Sequence, residues 1–238
     1  MSRSIADQSM AELGGPVSVL TRQRTDHITL DRLLHERHRT SGQEQDAVLQ
    51  RIYRLVFPHA FAEESVLWPT LRRVLPDGHE LSLEVEQEHQ EVNELVTRLE
   101  GMDHDHPERG AVLDRLTVVL RDDVRDEEDV LLPRLQEAVS RRDLRRLGVL
   151  WEVVRRVAPT RAHPVVARRP PGNVISAVLL SVLDRLRDLL DAGARRGPER
   201  VSPALRTASR GLTRAAHAVE HLPLMRRGED PSTRRDAA

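Results

Sequence analysis

Two segments of the chain repeat one arrangement of ionisable residues. Residues 59–69 read HAFAEESVLWP and residues 123–133 read DVRDEEDVLLP. In both, an ionisable residue precedes a Glu by four positions, and a second acid, a Val-Leu pair and a Pro follow. Residues at i and i+4 lie one turn apart on the same face of a helix, so two such pairs can converge on a metal ion. The pairs are His59 with Glu63 and Asp123 with Glu127.

The spacing of apolar residues predicts the elements that position these pairs. Short connections between the predicted helices favour antiparallel neighbours, so we predict an all-α fold, an up-down-up-down four-helix bundle. In each half, a His (His27, His89) lies near the middle of the first helix, and the repeated segment follows on the second. The bundle is therefore expected to be a duplicated helical hairpin. The predicted helices cover about residues 17–39, 43–74, 80–100 and 108–140.

Six polar residues fall on the apolar stripes of these four helices. A buried carboxylate without a partner costs several kcal/mol or more, and one bound cation would compensate for all six groups. A single His on such a stripe is more often a structural core residue, but the repetition favours a metal site. Carboxylate and imidazole ligands suit iron, with zinc or manganese as alternatives, and bundle cores commonly hold two metal ions. The predicted ligands are His27, His59, Glu63, His89, Asp123 and Glu127.

The overall composition excludes several classes of site. The 238 residues carry a net charge of −1, which gives no indication of nucleic-acid or membrane binding. Aromatic residues make up only 2%, which disfavours a β-sandwich. Cysteine is absent, so thiolate metal sites, iron–sulfur clusters and disulfides are excluded. No segment has the apolar pattern of a signal peptide or a membrane span, and we expect a cytoplasmic protein.

The chain changes in character after the predicted bundle, which we place at residues 16–138. Residues 139–223 are expected to form a helical extension with a Pro-rich linker near 158–173. No motif in this extension indicates chemistry, and a protein partner for it is an open possibility. Residues 1–15 are predicted to be a mobile tail, and residues 224–238 a disordered one.

These residues resemble the haemerythrin-like, or HHE cation-binding, family. The resemblance implies a four-helix bundle around a non-haem di-iron centre that stores, transports or senses oxygen, nitric oxide, peroxide or iron. By position, it implies that His27, His59, Glu63, His89 and Glu127 are iron ligands. It covers about residues 16–138 and rests on DHITLDRLLHE from Asp26, HAFAEESVLWP from His59, EHQEVNELV from Glu88 and DVRDEEDVLLPRL from Asp123.

Two positions depart from the family pattern. Asp123 stands where members usually have His, and Asn93 stands where many have a further His. Three histidines and three carboxylates would stabilise ferric iron, so reversible oxygen carriage is less expected than redox sensing, peroxide handling or iron holding. The expected partner is a small diatomic ligand or peroxide. Two alternatives stay open: a di-iron oxidase or peroxidase, and a helical interaction module that has lost its metal.

Overall fold

Two helical hairpins form the core of the protein, whose computed structural model describes residues 3–198 and 200–233. In the second helix of each hairpin, a π-helical turn separates two α-helical parts, so each forms one continuous rod. The all-α bundle expected from the sequence is confirmed. The first hairpin comprises α1 (Val19–His38), α2 (Gly42–Ala62), a π turn (Glu63–Leu67) and α3 (Trp68–Val74). The second comprises α4 (Gly78–Glu100), α5 (Arg109–Asp126), a π turn (Glu127–Leu131) and α6 (Leu132–Ala138).

The two π turns are the structural form of the repeated sequence. The backbone N–H of Trp68 donates to the carbonyl of Glu63, five residues earlier, and Leu132 does the same to Glu127. A proline follows immediately in each rod. Proline lacks an N–H and clashes with the preceding turn of a regular α-helix, whereas a widened turn lets the helix continue. Each π turn therefore begins at a predicted metal ligand.

The apolar core lies in two layers, with the predicted ligands between them. The upper layer includes Leu33, Ile52 and Leu116, and the lower layer includes Leu67 and Leu132. Each helix passes from one layer to the other at the level of its predicted ligand. Both layers are closely packed with side chains below 10% exposure, so the polar level between them is shielded from water.

The C-terminal extension begins with α7 (Arg141–Val157), which packs across α1 and α2. Trp151 of α7 is fully buried in the lower apolar layer, together with Leu67 and Leu132. An irregular linker then leads to a hairpin of α8 (Gly172–Arg196) and α9 (Ser202–Glu220). In the described part of the chain, no helix combines the length and apolarity that a membrane span requires.

The two tails correct the expectation from sequence. In the predicted mobile segment 1–15, Ile5 and Leu13 are fully buried in the lower layer, and the Ser4 hydroxyl donates to the backbone carbonyl of Glu128. Two buried apolar residues, together with hydrogen bonds such as that between Gln8 and Gln136, hold this polar segment on the bundle.

In the segment 224–238, predicted to be disordered, the described residues also pack on the protein. Met225 is buried, and Asp230 forms an ion pair of 3.0 Å with Arg169. Residues 234–238 lie outside the described part of the chain.

Gly148 sets the distance between α7 and the bundle, and substituting it tests this packing. A Cβ at Gly148 would lie 2.0 Å from the carbonyl oxygen of Val17 and 2.7 Å from the backbone nitrogen of Val19. Gly148→Ala should lower the free energy of unfolding by about 2–4 kcal/mol in urea titrations, because backbone must move. Gly211→Ala in α9 has open space and is the control, expected to be neutral or stabilising by up to about 1 kcal/mol. Equal effects of the two substitutions would contradict the close approach.

Candidate metal centre

All six predicted ligands meet at one level of the bundle. Each is at most 9% exposed, and Glu63 is completely buried. The Nε2 atom of His59 lies 3.1 Å from Glu63 Oε1, and that of His27 lies 3.1 Å from Glu127 Oε2. The Nε2 atom of His89 lies 3.7 Å from Glu63 Oε2 and 3.5 Å from Asp123 Oδ1.

The ligand atoms form two groups that share one carboxylate. In each group, the atoms lie within 4.8 Å of one another, and Glu127 belongs to both. The two oxygens of Glu63 also face different histidines, His59 and His89. This is the arrangement expected for two adjacent metal positions bridged by carboxylates. Asp123 approaches His89 but lies outside both groups, which are His27, His59 and Glu127, and Glu63, His89 and Glu127.

The unpaired polar atoms of this level indicate that a cation fits there. Among the described residues, no hydrogen-bond partner exists for either carboxylate oxygen of Glu63 or Glu127, for His27 Nε2 or for Asp123 Oδ1. Each buried unsatisfied group costs about 1–3 kcal/mol, or more when charged. Neighbouring ligands on an ion with bonds of about 2.1 Å are roughly 3 Å apart, close to the separations seen here. The residues therefore fit a metal ion on both geometry and chemistry.

Each of the three histidines is oriented from behind by a further carboxylate. A carboxylate can only accept a hydrogen bond, so the histidine Nδ1 donates and Nε2 is left with its lone pair towards the centre. Such carboxylate–histidine pairs are typical around protein metal ions and increase the basicity of the ligand. The pairs are His27 with Glu128 at 2.9 Å, His59 with Asp26 at 3.2 Å and His89 with Glu64 at 3.0 Å.

These orienting acids were not among the residues predicted for the site. Two of them, Glu64 and Glu128, are the second acids of the repeated segments, and that repetition was the available signal. Each acts across the duplication, because Glu64 of the first hairpin holds His89 of the second, and Glu128 of the second holds His27 of the first. The pairing between hairpins depends on the tertiary fold and cannot be predicted from spacing along one helix.

The duplication is broken at position 123. In the first half, Asp26 precedes His27 and accepts a hydrogen bond from His59. In the second half, Glu88 precedes His89 in the same way, but the position equivalent to His59 is Asp123, which has no ring N–H to donate. Glu88 Oε2 is buried without a partner, and burial together with the charge of Asp126 raises the pKa of Glu88 to about 7. Because position 123 carries a carboxylate in place of an imidazole, the second half has two acids, Glu88 and Asp123, where the first half pairs Asp26 with His59.

Without a metal, protons replace the missing positive charge. Burial opposes a charge on His27, but Glu127 and Glu128 outweigh it and raise its pKa to about 9. The pKa of His89 is raised against burial by Asp123 and Glu64, to about 10. Burial and then Glu127 raise the pKa of Asp123 well above its usual value. A metal ion must displace these protons, so its affinity falls as the pH is lowered.

Comparison with known proteins identifies the bundle. The family model described as Hemerythrin HHE cation binding domain matches residues 18–135. These residues belong to the haemerythrin family. An uncharacterised hemerythrin-like protein of Schizosaccharomyces pombe is 25% identical over 134 residues, which are 56% of this chain and 66% of that protein. The chain thus spans just under two thirds of this relative. No solved structure matches the chain significantly.

A small cavity in the haemerythrin domain adjoins the metal centre. Its volume is about 20 Å³, enough for one water-sized molecule. Apolar side chains form most of its wall, and three histidines, Asp26, Asn93 and Asp123 complete it. An outer groove of about 340 Å³ between α1 and α5 reaches His27 and shares Val124 with the cavity. The apolar lining includes Leu30, Phe57, Val92, Leu120 and Val124.

Neutralising the orienting acids should weaken metal binding. We expect Glu64→Gln and Glu128→Gln each to lower metal affinity about 10–100-fold, because the histidine loses its charged acceptor. The measurement is competition for zinc against a chromophoric chelator, with circular dichroism to verify the fold. Glu88→Gln is the matched control, since Glu88 holds no histidine, and its affinity should change less than about threefold. A loss for Glu88→Gln as large as that for Glu64→Gln would contradict the assigned roles.

Proposed function

We propose that the haemerythrin domain holds two iron ions and reacts with oxygen, nitric oxide or peroxide, as a redox sensor or a peroxide scavenger. The observation that carries the proposal is the carboxylate of Glu127, which belongs to two ligand groups and has no other hydrogen-bond partner among the described residues. Three imidazoles and three carboxylates without a thiolate suit iron, and zinc or manganese are the alternatives that metal analysis distinguishes.

Bound iron would supply a centre that takes up a small ligand and changes its oxidation state. The chain's own residues bias that chemistry. Once a metal has displaced their protons, the carboxylates of Glu63, Asp123 and Glu127 would bring three negative charges to a buried site, which favours the ferric state. Acids behind the three histidines add further electron density at Nε2. Both effects support redox sensing or peroxide handling over reversible oxygen carriage.

The size of the cavity supports a small ligand over an organic substrate. A volume of about 20 Å³ is on the scale of a water or diatomic molecule, whereas organic ligands typically occupy pockets of about 300–1,000 Å³. The outer groove of about 340 Å³ is large enough for an organic ligand, but of the six predicted ligands it reaches only His27, so an oxidase of larger molecules is less favoured. A peroxidase stays the alternative, and peroxide turnover above the rate of free iron would identify it. The predicted cytoplasmic location and the expected absence of nucleic-acid and membrane partners stay predictions.

Iron content of variants tests the two-ion centre. The wild-type chain expressed with iron should contain about two irons, measured by mass spectrometry alongside visible absorption in air. Glu127→Ala should lose both, because Glu127 serves both groups, whereas His89→Ala should keep about one, held by His27 and His59.

Glu44→Ala, which removes an exposed acid of α2, is the control and should keep the wild-type content. Less than about a tenth of an iron per wild-type chain, with no rise in melting temperature on adding iron or zinc, would leave a helical interaction module without metal.

A substitution in the cavity wall separates ligand binding from metal binding. Val124→Phe should fill the cavity and lower the affinity for azide, a small anionic probe, by at least about tenfold at unchanged iron content. The change is followed by the visible charge-transfer band during azide titration. Val118→Phe lies on the exposed face of the same helix and should have no effect. Unchanged azide affinity in Val124→Phe would show that small ligands reach the centre elsewhere.

A further inference from the structure

Helix α8 is amphipathic in the reverse sense to an ordinary surface helix. The side that faces the rest of the protein buries six polar residues alongside Ala177, Leu180 and Ala194, and the side that faces water is mostly apolar. Such an outward apolar face has no benefit for an isolated protomer, because it leaves hydrophobic surface in contact with water. The buried polar residues of α8 are Asn173, Ser176, Ser181, Asp184, Arg187 and Asp188.

The outward residues form a regular stripe, which we call the α8 stripe. Their exposed fractions range from 40% to 69%. Positions 175, 179, 182, 186 and 189 alternate in steps of four and three, the spacing of a seam between two packed helices. Its members are Ile175, Val178, Leu179, Val182, Leu186 and Leu189.

Helix α7 extends this apolar surface. The Arg185 guanidinium donates to the backbone carbonyl of Arg156, so the end of α7 lies beside the middle of α8. Val153 and Val157 of α7 are 55% and 51% exposed. These eight apolar residues, each 40–69% exposed, present several hundred Å² of surface, the size of the largest patch on a typical monomer, which is roughly 300–600 Å². A standard interface buries about 800 Å² on each partner, so a second copy would cover this area.

We propose that the α8 stripe is the interface of a homodimer, with α8 antiparallel to its counterpart and the two-fold axis at Val182. A two-fold axis places the same surface on both copies, so the face must be complementary to itself. About this axis, Ile175 lies opposite Leu189 of the second copy.

The position of a charged residue beside the stripe, Arg185, favours this orientation. Parallel helices would place two Arg185 side chains opposite each other. In the antiparallel pair, Arg185 lies opposite Leu179, and its guanidinium is directed aside by the Ser181 hydroxyl and the Arg156 carbonyl. Like charges face to face across an interface are destabilising, so the antiparallel pair is favoured.

The first test is the molecular mass of the full chain in solution. Sedimentation equilibrium over about 1–100 µM should give a dimer for the wild type and a monomer for Val182→Glu, with a dissociation constant at least about 100-fold higher, since two carboxylates would meet at the axis. Val182 is exposed in the single protomer, so the substitution should not disturb its fold. The melting temperature and metal content of the monomeric variant should therefore be close to those of a dissociated wild-type protomer.

Val118→Glu, at an equally exposed valine of α5, is the control and should remain dimeric. A monomeric wild type at 100 µM, or a dimeric Val182→Glu, would overturn the proposal. So would binding of the wild type to anionic phospholipid vesicles as a monomer, if Val182→Glu abolished it. Because these readouts do not involve iron, they stand or fall separately from the proposed metal function.

Disulfide trapping tests the orientation, because the natural chain has no cysteine. Ile175→Cys and Leu189→Cys, oxidised as a mixture of two chains distinguished by a tag, should form mainly the mixed disulfide. In the antiparallel pair, position 175 of one copy would lie about 21 Å along the helix from position 175 of the other, too far for a disulfide. Predominant disulfides between identical variants would indicate parallel helices and overturn the antiparallel arrangement.

Discussion

The burial of several ionisable groups between two apolar layers is the constraint on which this structure depends. The oxygens of Glu63 and Glu127 face imidazole nitrogens and other carboxylates, and they form no hydrogen bond within the described residues. Such a level is costly unless positive charge is present, whether as a metal ion or as protons on the three histidines. The π turns serve this level directly. Each begins at a buried Glu, and in both cases the acid that follows holds a histidine of the other hairpin.

This exchange of acids links the stability of the bundle to that of its centre. Glu64 and Glu128 each bind a histidine of the other hairpin, so neither hairpin alone can supply a hydrogen-bond acceptor for all of its histidines. A ligand set that forms only in the assembled fold adds its binding free energy to folding. Asp123 modifies this plan, since it places an acid where the duplication would place a second oriented histidine.

The C-terminal extension takes part in the walls of the centre. Trp151 of α7 packs edge-on against the ring of His59 at 5.3 Å, and Arg155 forms an ion pair of 3.1 Å with Asp26, the acid that holds His59. On the other side, the backbone N–H of His163 donates to Asn93, beside the cavity. Residues beyond the family match therefore contact His59, the acid Asp26 that orients it, and Asn93. A movement of the extension can alter the position of His59 through these contacts.

The extension also contains a buried charged group of its own. The ring of His163 lies between Asp184 and Glu220, at 3.0 Å and 2.9 Å, and these acids outweigh burial and raise its pKa to about 9. This group ties the linker to both α8 and α9, and accounts for the inward position of one polar residue of α8, Asp184. The apolar residues of α8 are then left on the outside, where the proposed second copy would cover them.

The sequence by itself determined the all-α fold and brought six ionisable residues to one level, because helical period and i,i+4 spacing are local properties. It did not determine which acid orients which histidine, since Glu128 and His27 are 101 positions apart. It also misjudged residues 1–15, where the burial of Ile5 and Leu13 depends on a surface that exists only after the bundle has folded. Which way the apolar face of α8 is turned was undetermined for the same reason. Periodicity shows that a helix has an apolar face, but only the tertiary structure decides whether that face meets the protein or the solvent.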